Sequence, residues 1–375
     1  MAADLNDDRL NEALNVVSRC VGENGIYAST ERYSGQYWMR DFAFAGLESL
    51  LTLERPDLAK TQLLAIAKRQ KRSGKIPMVF NEGGLNFSRL YKDISLTNWR
   101  RMLLKGWLFF KNVLLRKGFD LRDISSWCSD SEILFVISCL EYYKASNDSA
   151  FFAKIWPHIE RAIIYVEKNL MKDGLVYGSD WRDVMFHLAD KALLSNNALL
   201  YRAYILLGEY GKAERLKDRI NGLFWNDSYY IDCLGSKDFD VLGQSLAIIY
   251  GIVPAWRNVR IAKKYRELDT KFGIRANNNI PDKTVAENGL HLDTNQYAVI
   301  WPFIVGYAIL ALLEMGEQYL AESQFEKWQN LFGFCEWYDP NNGVGLGGKE
   351  QMWSAALYLR AAIALMNQQL SQVEY

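Results

Sequence analysis

The chain has 375 residues, of which 50% are hydrophobic and 14% aromatic, enough apolar material for a large core arranged in one or two domains. Lys plus Arg and Asp plus Glu both number 44, so no net charge favours nucleic acid as a partner, and a small neutral ligand fits the balance better. Five scattered cysteines without CxxC spacing argue against a disulfide framework and predict reduced thiols in the cytoplasm.

The amino-terminal third is predicted to be helical, with little that is typical of strands. Apolar residues at helical spacing predict helices over residues 5–20, from about Trp38 to before Pro56, and from 57 to about 71. The amino terminus lacks the basic region and apolar core of a signal peptide, and no apolar run is long enough to span a membrane.

A long loop at 75–95 and a basic amphipathic helix at 99–117 follow. We interpret residues 75–118 as an insertion whose helix presents a solvated basic face. Docking to a membrane surface or to a partner protein is the weaker alternative for that helix.

The helical pattern then resumes with nine segments, at 130–145, 150–170, 190–208, 210–222, 240–251, 258–270, 295–316, 317–331 and 350–368. Without the basic helix, twelve helices form six hairpins, with the first helix paired to the last. This count predicts an all-α fold, an (α/α)6 toroid of inner and outer helices formed by a single domain over residues 1–375.

The loops that precede the inner helices would meet at one end of such a toroid, and they are rich in acidic and aromatic residues. Carboxylates bind sugar hydroxyls, and flat rings cover sugar faces. The candidate ligand-binding residues in these loops are Trp38, Arg40, Asp41, Asp130, Trp181, Arg182, Asp293, Gln296, Trp301 and Trp353. For Asp130, an N-cap role at the following helix is an equally good interpretation.

Glu336 lies between Cys335 and Trp337 in a glycine-rich loop before the last predicted helix. A semi-apolar setting raises the pKa of a carboxyl or keeps a carboxylate ready as a base. The glycines that follow allow a sharp turn close to a ligand. An ordinary connection with an exposed glutamate is the alternative.

A pair of acids, Asp180 and Asp183, flanks Trp181 and Arg182 in the segment GSDWRD. Two acids in different environments are a common basis for dividing acid and base roles. The neighbouring tryptophan and arginine make Asp183 more than a simple cap.

Other chemistries have little support in the sequence. The three histidines lack metal-ligand spacing such as HExxH, no GxGxxG follows a predicted strand, and GxxxxGK[ST] and GxSxG do not occur. We therefore predict no metal site and no cofactor.

The segment FCEWYDPNNGVGLGGKEQMWSAALYL resembles the carboxy-terminal motif of the alkaline/neutral invertases. YWMRDFAFAGLESLL, GSDWRD and IWPFIVGYAILALLEMG are similar to further segments of that family, in the same order, between residues 38 and 365. Trehalase and glucosidase families of the (α/α)6 fold show a weaker similarity.

This resemblance implies a glycoside hydrolase that inverts the anomeric centre, with Asp183 as general acid, Glu336 as general base and the two carboxyls about 6.5–9.5 Å apart. It also implies that Arg40 and Asp41 hold the sugar at the cleaved bond. Asp180 is a competing candidate for the general acid, because the alignment with the family around Trp181 can shift so that Asp180 takes the place of Asp183. After Asp183 the chain has Val-Met-Phe-His instead of a basic pair, and Asn196 and Asn197 occur where the invertases carry a Glu, so sucrose is not fixed as the substrate.

The predicted activity is hydrolysis of a small neutral glycoside, either a sucrose-like disaccharide or a glucosyl oligosaccharide. The alternatives are a sugar epimerase or isomerase of the same barrel type, which the scarcity of histidines disfavours, and a non-catalytic carbohydrate-binding or scaffold toroid. The composition is compatible with a homo-oligomer without requiring one.

Overall fold

The computed structural model describes residues 7–81, 128–183, 185–278 and 298–373. The predicted basic helix at 99–117 and the predicted ligand-binding residues Asp293 and Gln296 lie outside these ranges. Within them, no helix is both long enough and apolar enough to cross a lipid bilayer.

Twelve long helical segments within the described ranges alternate between an inner and an outer ring. The inner helices are α2 (39–52, with a π-helical turn at Phe42–Gly46), α4 (Asp130–Ser146), α6 (Leu194–Leu206), α8 (Val241–Ile249), α10 (Pro302–Glu314) and α12 (Met352–Val373). The outer helices are α1 (Asp7–Arg19), α3 (Pro56–Lys68), α5 (Ser149–Tyr165), α7 (Tyr210–Leu223), α9 (Asn258–Leu268) and α11 (Gln318–Gln329).

Burial distinguishes the two rings. Inner helix α10 buries nearly every side chain from Pro302 to Leu312, because helices surround it on all sides. Outer helix α9 buries only Ile261, Ala262, Tyr265 and Leu268, whose spacing forms one apolar stripe. The hydroxyl of Tyr265 contacts Ser245 Oγ of inner helix α8 at 2.7 Å, which joins the two layers.

The inner ring closes on itself. Each inner helix packs against the next, and α12 packs against α2. Helix α1 packs on α12, so the first helix is the outer partner of the last one, as the helix count predicts. The all-α toroid predicted from the sequence is confirmed.

Five short antiparallel strand pairs occur in the described ranges, and the sequence did not predict them; four are hairpins that follow an outer helix, whereas β3 and β4 pair across the helices α2 and α3 that separate them. Strands of two or three residues are too short to show an alternating pattern. The pairs are β1 (Val21–Gly22) with β2 (Gly25–Ile26), β3 (Gln36–Trp38) with β4 (Val79–Asn81), β5 (Met171–Lys172) with β6 (Leu175–Val176), β7 (Asp269–Thr270) with β8 (Gly273–Ile274), and β9 (Trp337–Tyr338) with β10 (Gly345–Leu346).

Within the described residues, backbone bridges join neighbouring segments that precede inner helices. The links are Ser29 with Gln351, Met39 N–H with Met78 C=O, Cys128 with Ser179, Leu193 with Cys233, Asp240 with Asn277, and Ile300 with Tyr338. These extended residues explain why α6 and α10 begin later than predicted, at Leu194 and Pro302. The bridges bring the predicted site loops together at one end of the toroid.

Candidate active site

Glu336 lies just before β9 and is held by three donors. The backbone N–H of Gly348 and Arg32 Nη1 contact Glu336 Oε2 at 2.8 and 3.1 Å, and the hydroxyl of Tyr33 contacts Oε1 at 3.1 Å. The side chain is 8% exposed, and this burial raises the pKa of Glu336 against the opposing effects of Arg32, Gly348 N–H and Tyr33. The carboxyl is therefore fixed in orientation at the wall of the site.

The glycine turn after β10 is what allows this contact. Gly347 has φ +74°, and a Cβ on it would lie 2.3 Å from Trp337 and 2.6 Å from Glu336 Oε2. Only glycine fits both the backbone conformation and the space. The turn returns the chain so that Gly348 N–H points at the carboxylate.

Asp183 is the second predicted catalytic carboxyl, and it contacts Arg40. Arg40 Nη1 donates to Asp183 Oδ2 at 3.0 Å, and Arg40 also pairs with Asp130 through Nε and Nη2, at 2.5 and 3.1 Å. The Asp183 side chain is 24% exposed, whereas Asp130 is 1% exposed. Burial raises the pKa of Asp183, and the nearby Arg40 only partly opposes this effect.

Asp180 has a different environment, although it is only three residues away. Arg182 Nε and Nη2 contact both of its oxygens at 2.9 and 2.8 Å, and Ser195 Oγ donates to it at 2.6 Å. Arg182 also makes two contacts to Asp232, at 2.7 and 2.9 Å. These donors hold the pKa of Asp180 below its usual value in spite of burial, so Asp180 and Arg182 form a buried ion network beneath the site.

Asp41 is a third carboxyl in the same cluster. Its burial, together with the charges of Glu336 and Asp183, raises the pKa of Asp41 to about 8. Gln351 Nε2 contacts Asp41 Oδ1 at a long 3.4 Å. Asp183 also raises the pKa of Glu336, so Asp41, Asp183 and Glu336 lie within electrostatic range of one another.

Three of the four predicted tryptophans gather in one cluster. Trp301 packs on Trp181 and Trp353 with ring centroids 4.9 and 6.0 Å apart, and on Trp337 at 5.1 Å. Phe303 stacks on Trp353 at 4.2 Å. Trp38 lies elsewhere, beside Tyr33 at 5.9 Å, with its Nε1 donating to Gln36. These three tryptophans form one wall. In the sequence, Trp181 of this wall lies between the acidic residues Asp180 and Asp183.

Sequence reasoning missed Arg32, Tyr33 and Gln351. Nothing local in the stretch ERYSGQYW points to a glutamate about three hundred positions away. An arginine and a tyrosine in a loop entering an inner helix were the available signal. Asn196 contacts Ser129 Oγ at 2.9 Å and Gly178 C=O at 3.0 Å, and so joins two of the site loops.

No protein-family model matches the sequence, and no curated protein matches it either. Solved structures do match. GH63 mannosylglycerate hydrolase from Thermus thermophilus in complex with glucose superposes with a TM-score of 0.65 at 14% identity, over 93% of this chain and 98% of that one. A wild-type glycosidase superposes with a TM-score of 0.61 at 14% identity, over 96% and 99% of the two chains. The chain therefore has the (α/α)6 fold of these glycosidases.

Proposed function

We propose that the protein is an inverting glycoside hydrolase that cleaves a small neutral glycoside, with Asp183 as general acid and Glu336 as general base. The observation that carries this proposal is the presence of two carboxyls in one cluster, each contacted by a different arginine, at the end of the toroid where the inner-helix loops meet. The fold that the chain shares with glycosidases supports the same reaction class.

In this mechanism Asp183 protonates the oxygen of the leaving group, and a water molecule attacks the anomeric carbon from the opposite face. Glu336 accepts a proton from that water. Two of the described donors contact Glu336 Oε2 and one contacts Oε1, so Oε1 has more capacity left for the water. The raised pKa of Asp183 favours the protonated form that a general acid needs.

Asp183 is a better candidate for the acid than Asp180. Asp180 is enclosed by Arg182 and Ser195, and its lowered pKa keeps it ionised. Asp183 keeps part of its surface exposed, which a group that touches substrate requires.

The test is a panel of glycosides followed by proton NMR, which identifies the released sugar and its first anomer. The panel contains sucrose, trehalose, glucosyl oligosaccharides and mannosylglycerate, the last because a structurally similar protein carries that activity in its name. We expect hydrolysis with inversion. Interconversion of sugars without hydrolysis would favour an epimerase, and binding without turnover would favour a carbohydrate-binding toroid.

On the substrate that this panel finds, Asp183→Asn and Glu336→Gln should each lower kcat by about 100-fold or more, because each removes a proton-transfer step. Thermal unfolding of both variants checks that they are folded. Asp57→Asn, at an exposed position on α3, is the control and should keep wild-type activity. Activity retained in either active-site variant contradicts its assigned role.

A further inference from the structure

Arg40 lies between two carboxylates of unequal burial. It contacts Asp130 through two nitrogens and Asp183 through one, at 3.0 Å. Asp130 and Arg40 are 1% and 4% exposed, so water cannot solvate their charges. Each must find its counter-charge within the protein, and the two-point contact makes Asp130 the principal partner of Arg40.

The fold fixes Asp130 with respect to the loop that carries Asp183. Asp130 is the first residue of α4, and the preceding residue, Ser129, donates its N–H to Ser179 C=O at 2.9 Å. Asn196 Nδ2 contacts both Ser129 Oγ, at 2.9 Å, and Ser179 C=O, at 3.2 Å. These contacts fix the loop before α4 relative to the loop that carries Asp183. The guanidinium of Arg40 contacts one carboxylate from each loop, Asp130 and Asp183.

We propose that Asp130 is a positioning residue for the general acid: acting through Arg40, it aligns Asp183 and offsets the guanidinium charge, so that Asp183 keeps the proton it delivers to the leaving oxygen. This inference rests on the proposed function and assigns Asp130 a role beneath the substrate instead of the direct ligand contact expected from the sequence.

The direction of the effect follows from the charges around Asp183. Burial raises the pKa of Asp183 and Arg40 lowers it, while the negative charges of Asp130 and Asp180 raise it. Among the described residues, Asp41, Glu336 and Cys128 also interact electrostatically with Asp183. When Asp130 loses its charge, Arg40 acts on Asp183 with less compensation, and the acid loses its proton at a lower pH.

The experiment compares the pH dependence of kcat/KM for the wild type and Asp130→Asn. We expect the alkaline limb to move down by about one pH unit, the size of shift that a nearby opposite charge produces. We also expect kcat at neutral pH to fall at least about tenfold, with little change in KM. Asp130→Glu, which restores the charge but not the geometry, should return the limb towards its wild-type position.

Asp232→Asn is the matched control, since Asp232 is likewise a buried carboxylate, 2% exposed, with a two-point arginine contact, but to Arg182. It should lose comparable stability without moving the alkaline limb. An unchanged limb in Asp130→Asn, or an equal movement in Asp232→Asn, overturns the inference.

A measurement on the wild-type protein keeps the inference testable if Asp130→Asn does not fold. Carboxyl 13C NMR of aspartate-labelled protein, with Asp183 assigned by comparison with Asp183→Asn, should show that Asp183 titrates above the ordinary aspartate value of about 3.9. A midpoint at or below that value contradicts the role of Asp130. If Asp183→Asn keeps activity, the proposed function itself fails; if only the predicted pH behaviour is absent, the proposed function stands without this inference.

Discussion

Individual residues determine the orientation and the ionisation of the Glu336 carboxyl. The donors on its carboxyl come from two regions of the chain, Arg32 and Tyr33 near the amino terminus and Gly348 after β10. Burial raises the pKa of Glu336, and these donors counter the effect by stabilising the ionised form, which is the form a base requires. The importance of Glu336 could be predicted from its local sequence, whereas its donors could not, because hydrogen bonds between residues so far apart leave no local pattern.

Tyr33→Phe should lower the fraction of Glu336 that is ionised, and so able to act as a base, at low pH. Loss of the hydroxyl removes one donor from the ionised form, so the pKa of Glu336 rises further. The acidic limb of kcat/KM should move up by about one to two pH units at most, since a hydrogen bond to a charged group is worth about 1.5–3 kcal/mol and one pH unit corresponds to about 1.4 kcal/mol. The measurement is the pH profile of kcat/KM for both proteins.

Tyr27→Phe is the control for this change. Tyr27 belongs to the same amino-terminal region, but its hydroxyl donates to Arg19 C=O at 3.0 Å. Its pH profile should match the wild type. A Tyr33→Phe enzyme with the wild-type acidic limb would show that this hydroxyl does not support the base.

At the scale of the element, the hairpin of β9 and β10 and the turn after it act as one unit. Tyr338 of β9 pairs with Gly345 of β10, and Glu336 N–H donates to Gly348 C=O at 2.8 Å, so the ladder extends past the strands. The sequence predicted a sharp glycine turn here, and the structure has one. It did not predict which glycine the turn depends on, because that depends on the position of Trp337 in three dimensions.

Gly347→Ala should reduce both activity and stability. The new Cβ would meet Trp337 and Glu336 Oε2 at 2.3 and 2.6 Å, and the residue would keep a φ of +74°. Left-handed backbone alone costs about 1–2 kcal/mol for an L-residue. Displacement of Glu336 should lower kcat by about tenfold or more. Steady-state kinetics and thermal unfolding measure the two effects.

Gly208→Ala is the control that separates the effect of backbone strain from the effect of the steric contact with Trp337 and Glu336. Gly208 has the same φ, +74°, but a Cβ there would have no heavy atom within 4 Å. It should lose stability from the backbone conformation alone and keep the wild-type kcat. If both variants lose kcat to the same extent, the turn does not act through Glu336.

For the whole molecule, the periodicity of the apolar residues was enough to predict the toroid. Inner helices such as α10 are apolar on every side and outer helices such as α9 on one stripe, and this contrast repeats along the chain. Closure of the ring was an inference from the helix count, and the packing of α12 on α2 confirms it. The buried ion network of Arg182 could not be predicted, since a charged residue in a loop is more often solvated.

The toroid also buries carboxyls whose protonation affects global stability. Burial raises the pKa of Asp41 and of Asp240 to about 8, and that of Glu132 to about 7. In the unfolded chain such groups titrate near 4. Between about pH 4 and 8 the folded state therefore binds more protons than the unfolded state, and stability falls as pH rises. Asp180, with its lowered pKa, contributes in the opposite sense, but only at more acidic pH.

The midpoint of thermal unfolding, followed by circular dichroism at constant ionic strength, should fall by on the order of 5 °C from pH 5 to pH 8. Glu132→Gln should flatten this dependence between pH 5 and 7, because the amide does not titrate but can still accept the N–H of Ile76, which contacts Glu132 Oε1 at 3.1 Å. Asp57→Asn, which changes an exposed carboxylate with a lowered pKa, should leave the slope above pH 5 as it is. A midpoint that rises with pH over this range would mean that these buried acids are ionised in the folded protein. The carboxyls around Asp41 would then carry more negative charge than a protonated Asp183 beside an ionised Glu336 allows.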